Sequence, residues 1–199
     1  MFSDAKQDEF ALSMLGNKNP GFYIDVGSCG AIHSNNTYLF DTMGWKGVCI
    51  EIDPGYIPSY AARSARLYTA NALELNYRNV FEENNAPNSI DYMSLDIDQK
   101  SVNVLEILPH DSYRFKVITI EHDYYLYADA YQKKQRDILN GLGYHLLCAN
   151  VYVQQSGFYR ENCAFEDWWI DPTYFDVQKY SHVQCDGKYP TQIIQSFNE

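Results

Sequence analysis

Basic residues are scarce in this chain: 15 Lys and Arg stand against 26 Asp and Glu, a formal net charge of −11 over 199 residues. A field of that sign repels polyanions, so routine binding to DNA is not expected. The one dense basic run, Lys133-Lys134-Gln135-Arg136, reads as a solvated helix face. Long apolar runs are lacking too, none approaching the roughly 18 residues that span a bilayer. The start, Met1 to Asp8, carries acids where a secretory leader needs bases, and no apolar stretch follows. Cysteines are few: Cys29, Cys49, Cys148, Cys163 and Cys185 are odd in number and widely spaced, with no paired-thiol motif for zinc or redox work. These absences predict a chain outside membranes, cytoplasmic, with reduced thiols. Repeats and low-complexity segments are absent as well, so one domain over residues 1–199 is expected.

What the chain does have is alternation. Short runs rich in Val, Ile, Tyr and Phe at Gly21–Gly27, Gly47–Glu51, Leu67–Ala70, Ile90–Asp96, Phe115–Glu121 and Tyr144–Cys148 read as strands buried on both faces. Between them, Asn35–Met43 forms a helical pattern that stops at Gly44. Val102, Leu105 and Leu108 mark a second before Pro109. Tyr131, Ile138, Leu139 and Leu142 mark one face of a third, closed by Gly141 and Gly143. The polar stretch Glu82–Asn88 reads as a loop. Strand–helix alternation implies right-handed crossovers and a doubly wound, mostly parallel Rossmann-like α/β sheet with helices on both faces. Late in the chain, Phe165–Trp169 reads as an antiparallel edge strand, with Trp168 and the Tyr124-Tyr125 pair open to a role as a stacking wall.

In such sheets ligands bind at the carboxyl ends of the strands. The first strand runs into Gly27-Ser28-Cys29-Gly30-Ala31 and an expected helix, the arrangement of a nucleotide-binding turn. Cys29 and Ile32 stand where a dinucleotide fingerprint wants glycine, which disfavours a pyrophosphate ligand such as NAD. Glu51 closes the second strand, where a carboxylate accepts both hydrogen bonds of a ribose diol. Asn71, then Asp96 and Asp98, then Glu121 and His122 follow later strands. A ribose-bearing ligand without a pyrophosphate fits these positions.

Taken in order, these blocks resemble the FkbM-type family of S-adenosylmethionine-dependent methyltransferases. The similarity starts at Gln7-Asp8 with Phe10. It continues through Gly21–Gly27, Ser34–Leu39 and Gly44–Glu51, resumes at Ile90–Asp98 and Phe115–His122, and closes at Phe165–Pro172. Residues after about 173 carry none of it. Two departures stand out: Ala31 replaces a usual glycine, which moves the flexible residue to Gly30, and Gln99-Lys100 follow Asp98 where the family has an acid and a glycine.

The resemblance implies S-adenosyl-L-methionine as cofactor, S-adenosyl-L-homocysteine as product, and O-methylation of a hydroxyl on a sugar or small-molecule acceptor. By the same implication, Asp25, Gly27, Ser28 and Gly30 pass under the methionine and ribose, and Glu51 takes the ribose hydroxyls. Asp53, Asn71 and Ala72 lie near adenine, and Asp96 sits beside the transferable methyl. A hydroxyl acceptor needs a general base. His122 and Asp96 are the favoured candidates, followed by Glu121 and His33. Asp96, Asp98 and Glu121 are chemically able to hold Mg²⁺, but acid spacing alone does not favour a metal. The alternatives are a non-catalytic or divergent nucleotide-binding homologue, or a nicotinamide-dependent enzyme.

Overall fold

The computed structural model describes residues 2–16, 20–155, 160–183 and 185–197. Strands β1 (Phe22–Val26), β2 (Lys46–Glu51), β3 (Arg66–Thr69), β4 (Ser89–Leu95), β5 (Arg114–Glu121), β6 (His145–Gln155) and β7 (Arg160–Ile170) form one sheet. Helices α1 (Gln7–Leu15), α2 (Tyr38–Thr42), α3 (Tyr77–Glu83), α4 (Ser101–Ile107), α5 (Tyr124–Tyr127), α6 (Asp129–Gly141) and α7 (Pro190–Ser196) surround it. A longer 3₁₀ segment covers Pro54–Ala62.

Every residue of β1, Phe-Tyr-Ile-Asp-Val, is buried, as a strand covered on both faces requires. Alternation then sorts neighbours to opposite layers. Ile24, Met93, Ile118 and Trp169 face a core shared with Phe81 of α3, Leu105 of α4 and Leu139 of α6. Tyr23, Tyr92, Val117 and Trp168 face a second core with Phe10 of α1, Phe40 of α2 and Ile193 of α7. The role in a stacking wall left open for Trp168 is not there, since it is buried and stacks on Phe10 at 4.2 Å, and Trp169 is fully buried in the core as expected.

The strand order is β3-β2-β1-β4-β5-β7-β6, with β1 to β5 mutually parallel and β7 antiparallel to both β5 and β6. The late antiparallel strand is thus present, but it lies inside β6 rather than outermost. Strand order reverses between β1 and β4, which opens a crevice at their carboxyl ends.

The expectation of five reduced thiols is corrected. Cys148 on β6 and Cys185 are joined by a disulfide, with Cα atoms 5.0 Å apart across a separation of 37 residues. Chain folding, not spacing, brings them together. No helix among the described residues is long and apolar enough to cross a membrane.

Candidate active site

The crevice begins with a close approach that only glycine permits. Gly27 has φ +84°, and a Cβ there would lie 1.8 Å from the Asp96 carbonyl oxygen. The ends of β1 and β4 are thereby pressed together, with the Asp96 N–H donating to the Val26 carbonyl at 2.9 Å. The turn beyond differs from expectation in two ways. Its left-handed residue is Cys29, with φ +47°, and not Gly30, whose added Cβ would meet nothing nearer than 3.6 Å. No helix starts there either. Asn35 folds back, donating from Nδ2 to the carbonyls of Ser28 and Gly30, and its Oδ1 accepts from the N–H groups of Thr37 and Tyr38. That self-contained loop postpones α2 to Tyr38, so no helix N-terminus faces the turn.

Across the β1 turn, Glu51 at the end of β2 accepts the Cys29 N–H on Oε2 at 2.8 Å and the Asp53 N–H on Oε1 at 2.9 Å. A cleft of about 320 Å³ opens above these strand ends. It joins Gly27, Glu51, Asn71, Ala72 and Asp96, and apolar side chains flank them. Ile52 is one of these and is 66% exposed. Asp98 and Lys100 complete one rim, so the unusual lysine does stand beside the cleft. Cys29 also lines it, but burial and the neighbouring Glu51 push its thiol up to about 11, too high for a nucleophile near neutrality.

Four residues predicted to meet a ligand sit behind this surface. Asp25 is completely buried, accepting from the Thr37 hydroxyl at 2.7 Å, and burial raises its carboxyl to about 6. The Ser28 hydroxyl accepts from Tyr60 Oη at 2.7 Å. Gly30 is part of the Asn35 loop, and Asp53 turns away to cap the 3₁₀ segment through the Gly55 N–H. Sequence reasoning missed what holds them. Arg63 uses all five of its N–H groups on Asp41, Ala31, Asn35, Tyr23 and Thr37, and so clamps the whole loop from Ala31 to Asp41. A lone arginine in a 3₁₀ segment's exit carries no signal of that role.

The ends of β4 and β5 bring four carboxylates together. Asp96 is half-buried and faces the cleft, Asp98 is exposed, and Glu121 and Asp123 are buried. Burial raises Glu121, assisted by the charge of Asp96, to which it is hydrogen-bonded. Burial likewise raises Asp96 and Asp123. The preference for His122 as general base is corrected. The ring is buried, its Nδ1 accepts the Tyr124 N–H at 3.1 Å, and its Nε2 lies 3.3 Å from Asp167, which Arg136 also engages. Both nitrogens are committed inside the protein and neither reaches the cleft. His33 is exposed and lies outside the cleft-lining residues.

The strand order, the antiparallel β7 and the cleft at the switch point define the Rossmann-like methyltransferase fold. No family model and no curated protein matches the chain. Among solved structures, the chain is similar to a Staphylococcus aureus protein assigned provisionally as a caffeoyl-CoA O-methyltransferase: 14% identity, 86% of this chain and 85% of that one covered, TM-score 0.56. It is also similar to the Methanococcus jannaschii fibrillarin pre-rRNA processing protein, at 14% identity over 83% and 75% of the two chains, TM-score 0.51. A third is P. horikoshii TYW2 in complex with MeSAdo, at 14% identity and TM-score 0.51, where 86% of this chain spans 63% of that one. At such identity the likeness is one of fold.

Proposed function

We propose that this chain is an S-adenosyl-L-methionine-dependent methyltransferase acting on a hydroxyl of a sugar or other small acceptor. The observation that carries the reading is the single cleft running from Glu51 at the end of β2 to Asp96 at the end of β4 across the switch point. Its volume of about 320 Å³ lies at the lower end of the range of small-ligand sites. Its donor set suits a nucleoside. A carboxylate offers about four acceptor positions and Glu51 has two taken by backbone, leaving room for a ribose diol. Ile50, Ile52, Ala72 and Leu73 supply apolar walls for a planar base. MeSAdo in the complex of the TYW2 neighbour and the ordered likeness to FkbM-type enzymes support the same ligand class.

The cofactor, when bound, supplies an electrophilic methyl group. The chain's part is to align the acceptor with it and take one proton. Of the carboxylates at the end of β4, Asp96 faces the cleft and is hydrogen-bonded to Glu121, and burial raises both carboxyls. Asp96 is the member of this pair that lines the cleft, where it is placed to accept the hydroxyl proton as attack proceeds. Asn71 turns its side chain onto Leu73 N–H and Glu74, so its contribution to an adenine edge comes from the main chain.

Titration calorimetry with S-adenosylhomocysteine and, separately, with NADP tests the ligand class. Binding of NADP alone would sink it. Glu51→Ala should weaken S-adenosylhomocysteine about 10- to 150-fold, the loss expected for hydrogen bonds to a charged group. Affinity held within about twofold would remove the ribose role. A labelled methyl group recovered only on nitrogen or sulfur acceptors would overturn the oxygen assignment.

A further inference from the structure

We propose that a second cavity, between α6 and the β6–β7 pair, binds a neutral polyhydroxylated ligand of the saccharide class. It measures about 520 Å³, within the roughly 300–1,000 Å³ of small-ligand sites, and shares no lining residue with the cleft between Glu51 and Asp96. Tyr124, Gln132, Arg136, Asn150, Tyr152 and Asp186 give its wall polar side chains. A wall of that polarity does not suit an acyl chain.

The side chains are held in place by one another. Arg136 donates to Asp167, which is fully buried on β7, from Nε at 2.7 Å and from Nη2 at 2.9 Å. A shift of register between Cys148 and Val151 leaves Asn150 at φ +54°, a backbone that asparagine tolerates. Its Oδ1 accepts from Gln132 Nε2 at 2.7 Å and from Arg136 Nη2 at 3.1 Å, and its Nδ2 donates to Asp186 Oδ1 at 2.8 Å. Asp186 directly follows Cys185, which the disulfide ties to β6.

This network leaves donors and acceptors unused side by side. Gln132 is 5% exposed, yet among the described residues no donor reaches its Oε1, and the two N–H groups of Arg136 Nη1 meet no acceptor. Asp186 Oδ2 is also without a donor among the described residues. A hydroxyl both donates and accepts, so one polyol serves all of these groups. Tyr124, 43% exposed, and the half-buried Tyr152 offer ring faces to the C–H side of a sugar. Charge points the same way: Asp167 matches Arg136, and Asp186 leaves one negative charge over, which disfavours phosphate and carboxylate ligands.

Tyr124 stands three positions beyond Glu121, at most about 11 Å away between Cα atoms, so the cavity is placed to hold a further ring of a glycan acceptor. That role rests on the methyl-transfer reading; binding of the saccharide does not. The test is nuclear magnetic resonance of the ¹⁵N-labelled full-length protein, titrated with the methyl glycosides of glucose, galactose, mannose and N-acetylglucosamine. Inorganic phosphate and S-adenosylhomocysteine are titrated separately. The side-chain amide signals of Gln132 and Asn150 should shift with at least one glycoside. Asp186→Asn should weaken that binding at least about tenfold, the loss of a hydrogen bond to a charged group, and Tyr124→Ala about 2- to 10-fold. Both side chains are exposed, so neither change empties the core. The exposed Glu82→Gln should bind like the parent. No shift of those amides with any glycoside, a shift with phosphate in its place, or unchanged affinity in either variant overturns the site. S-adenosylhomocysteine reports at Gly27 and Glu51, and its failure to shift those signals overturns the methyl-transfer reading alone.

Discussion

Arg63 offers the sharpest test of how the loop beneath the cleft is held. Its side chain is wholly shielded, and its Nε donates to Asp41 Oδ2 at 2.7 Å, while Asp41 is itself only 6% exposed. The other four N–H groups reach the Ala31 carbonyl at 3.2 Å, Asn35 Oδ1 at 2.9 Å, Tyr23 Oη at 2.8 Å and Thr37 Oγ1 at 3.0 Å. The guanidinium also lies over the Tyr60 ring at 5.3 Å. Replacement by alanine leaves Asp41 as a buried charge without its cation, which costs about 3–5 kcal/mol. For a domain of this size each kcal/mol is worth about 2–4 °C, so Arg63→Ala should lower Tm by about 6–20 °C. Arg63→Lys keeps the charge but brings three donors in place of five, and should fall between parent and alanine. Circular dichroism melts and urea titrations measure both. A Tm within about 2 °C of the parent for Arg63→Ala would refute the clamp, because among the described residues Asp41 pairs with no other cation.

Two further outcomes follow from single residues. Gly27→Ala places a Cβ 1.8 Å from the Asp96 carbonyl at φ +84°, so it should separate β1 from β4, destabilise by more than about 3 kcal/mol and abolish S-adenosylhomocysteine binding in calorimetry. Asp25 has its carboxyl raised from 3.8 to about 6 in the folded state. The folded protein therefore holds that proton more tightly than the unfolded chain, and stability falls as pH rises from 3.8 to about 6, by about 3 kcal/mol, and is level above. Asp25→Asn should flatten this part of the urea-midpoint profile; an unchanged slope would refute the assignment.

Much of the fold was legible because its strands are buried on both faces and read as unbroken apolar runs. The sheet was visible in Phe22–Val26, Val48–Glu51 and Phe115–Ile120, and Gly44 marked the end of α2 through its φ of +78°. Helix α1 and the 3₁₀ segment at Pro54–Ala62 were not, since neither has a marked apolar stripe and Pro58 sits inside the second. At the site, Gly27, Glu51 and Asp96 could be picked out from their places at strand ends. His122 misled. It follows β5 as a catalytic histidine would, but Asp167, 45 positions along the chain, and Tyr124 take both of its nitrogens. Asp123 was passed over because nothing in Glu-His-Asp distinguishes the acid that turns toward Asp98.

The sequence by itself determined the alternation of strand and helix, the acidic balance and the placing of carboxylates after strands, because burial and turn chemistry act over a few residues. Tertiary structure alone decided which of those carboxylates share a space. Asp98, Glu121 and Asp123 meet because parallel pairing sets β4 beside β5, and Arg63 reaches the Ala31–Asp41 loop because the chain crosses over from β2 to β3. Long-range pairing of this kind is fixed by the register and twist of the whole sheet, which no local pattern encodes.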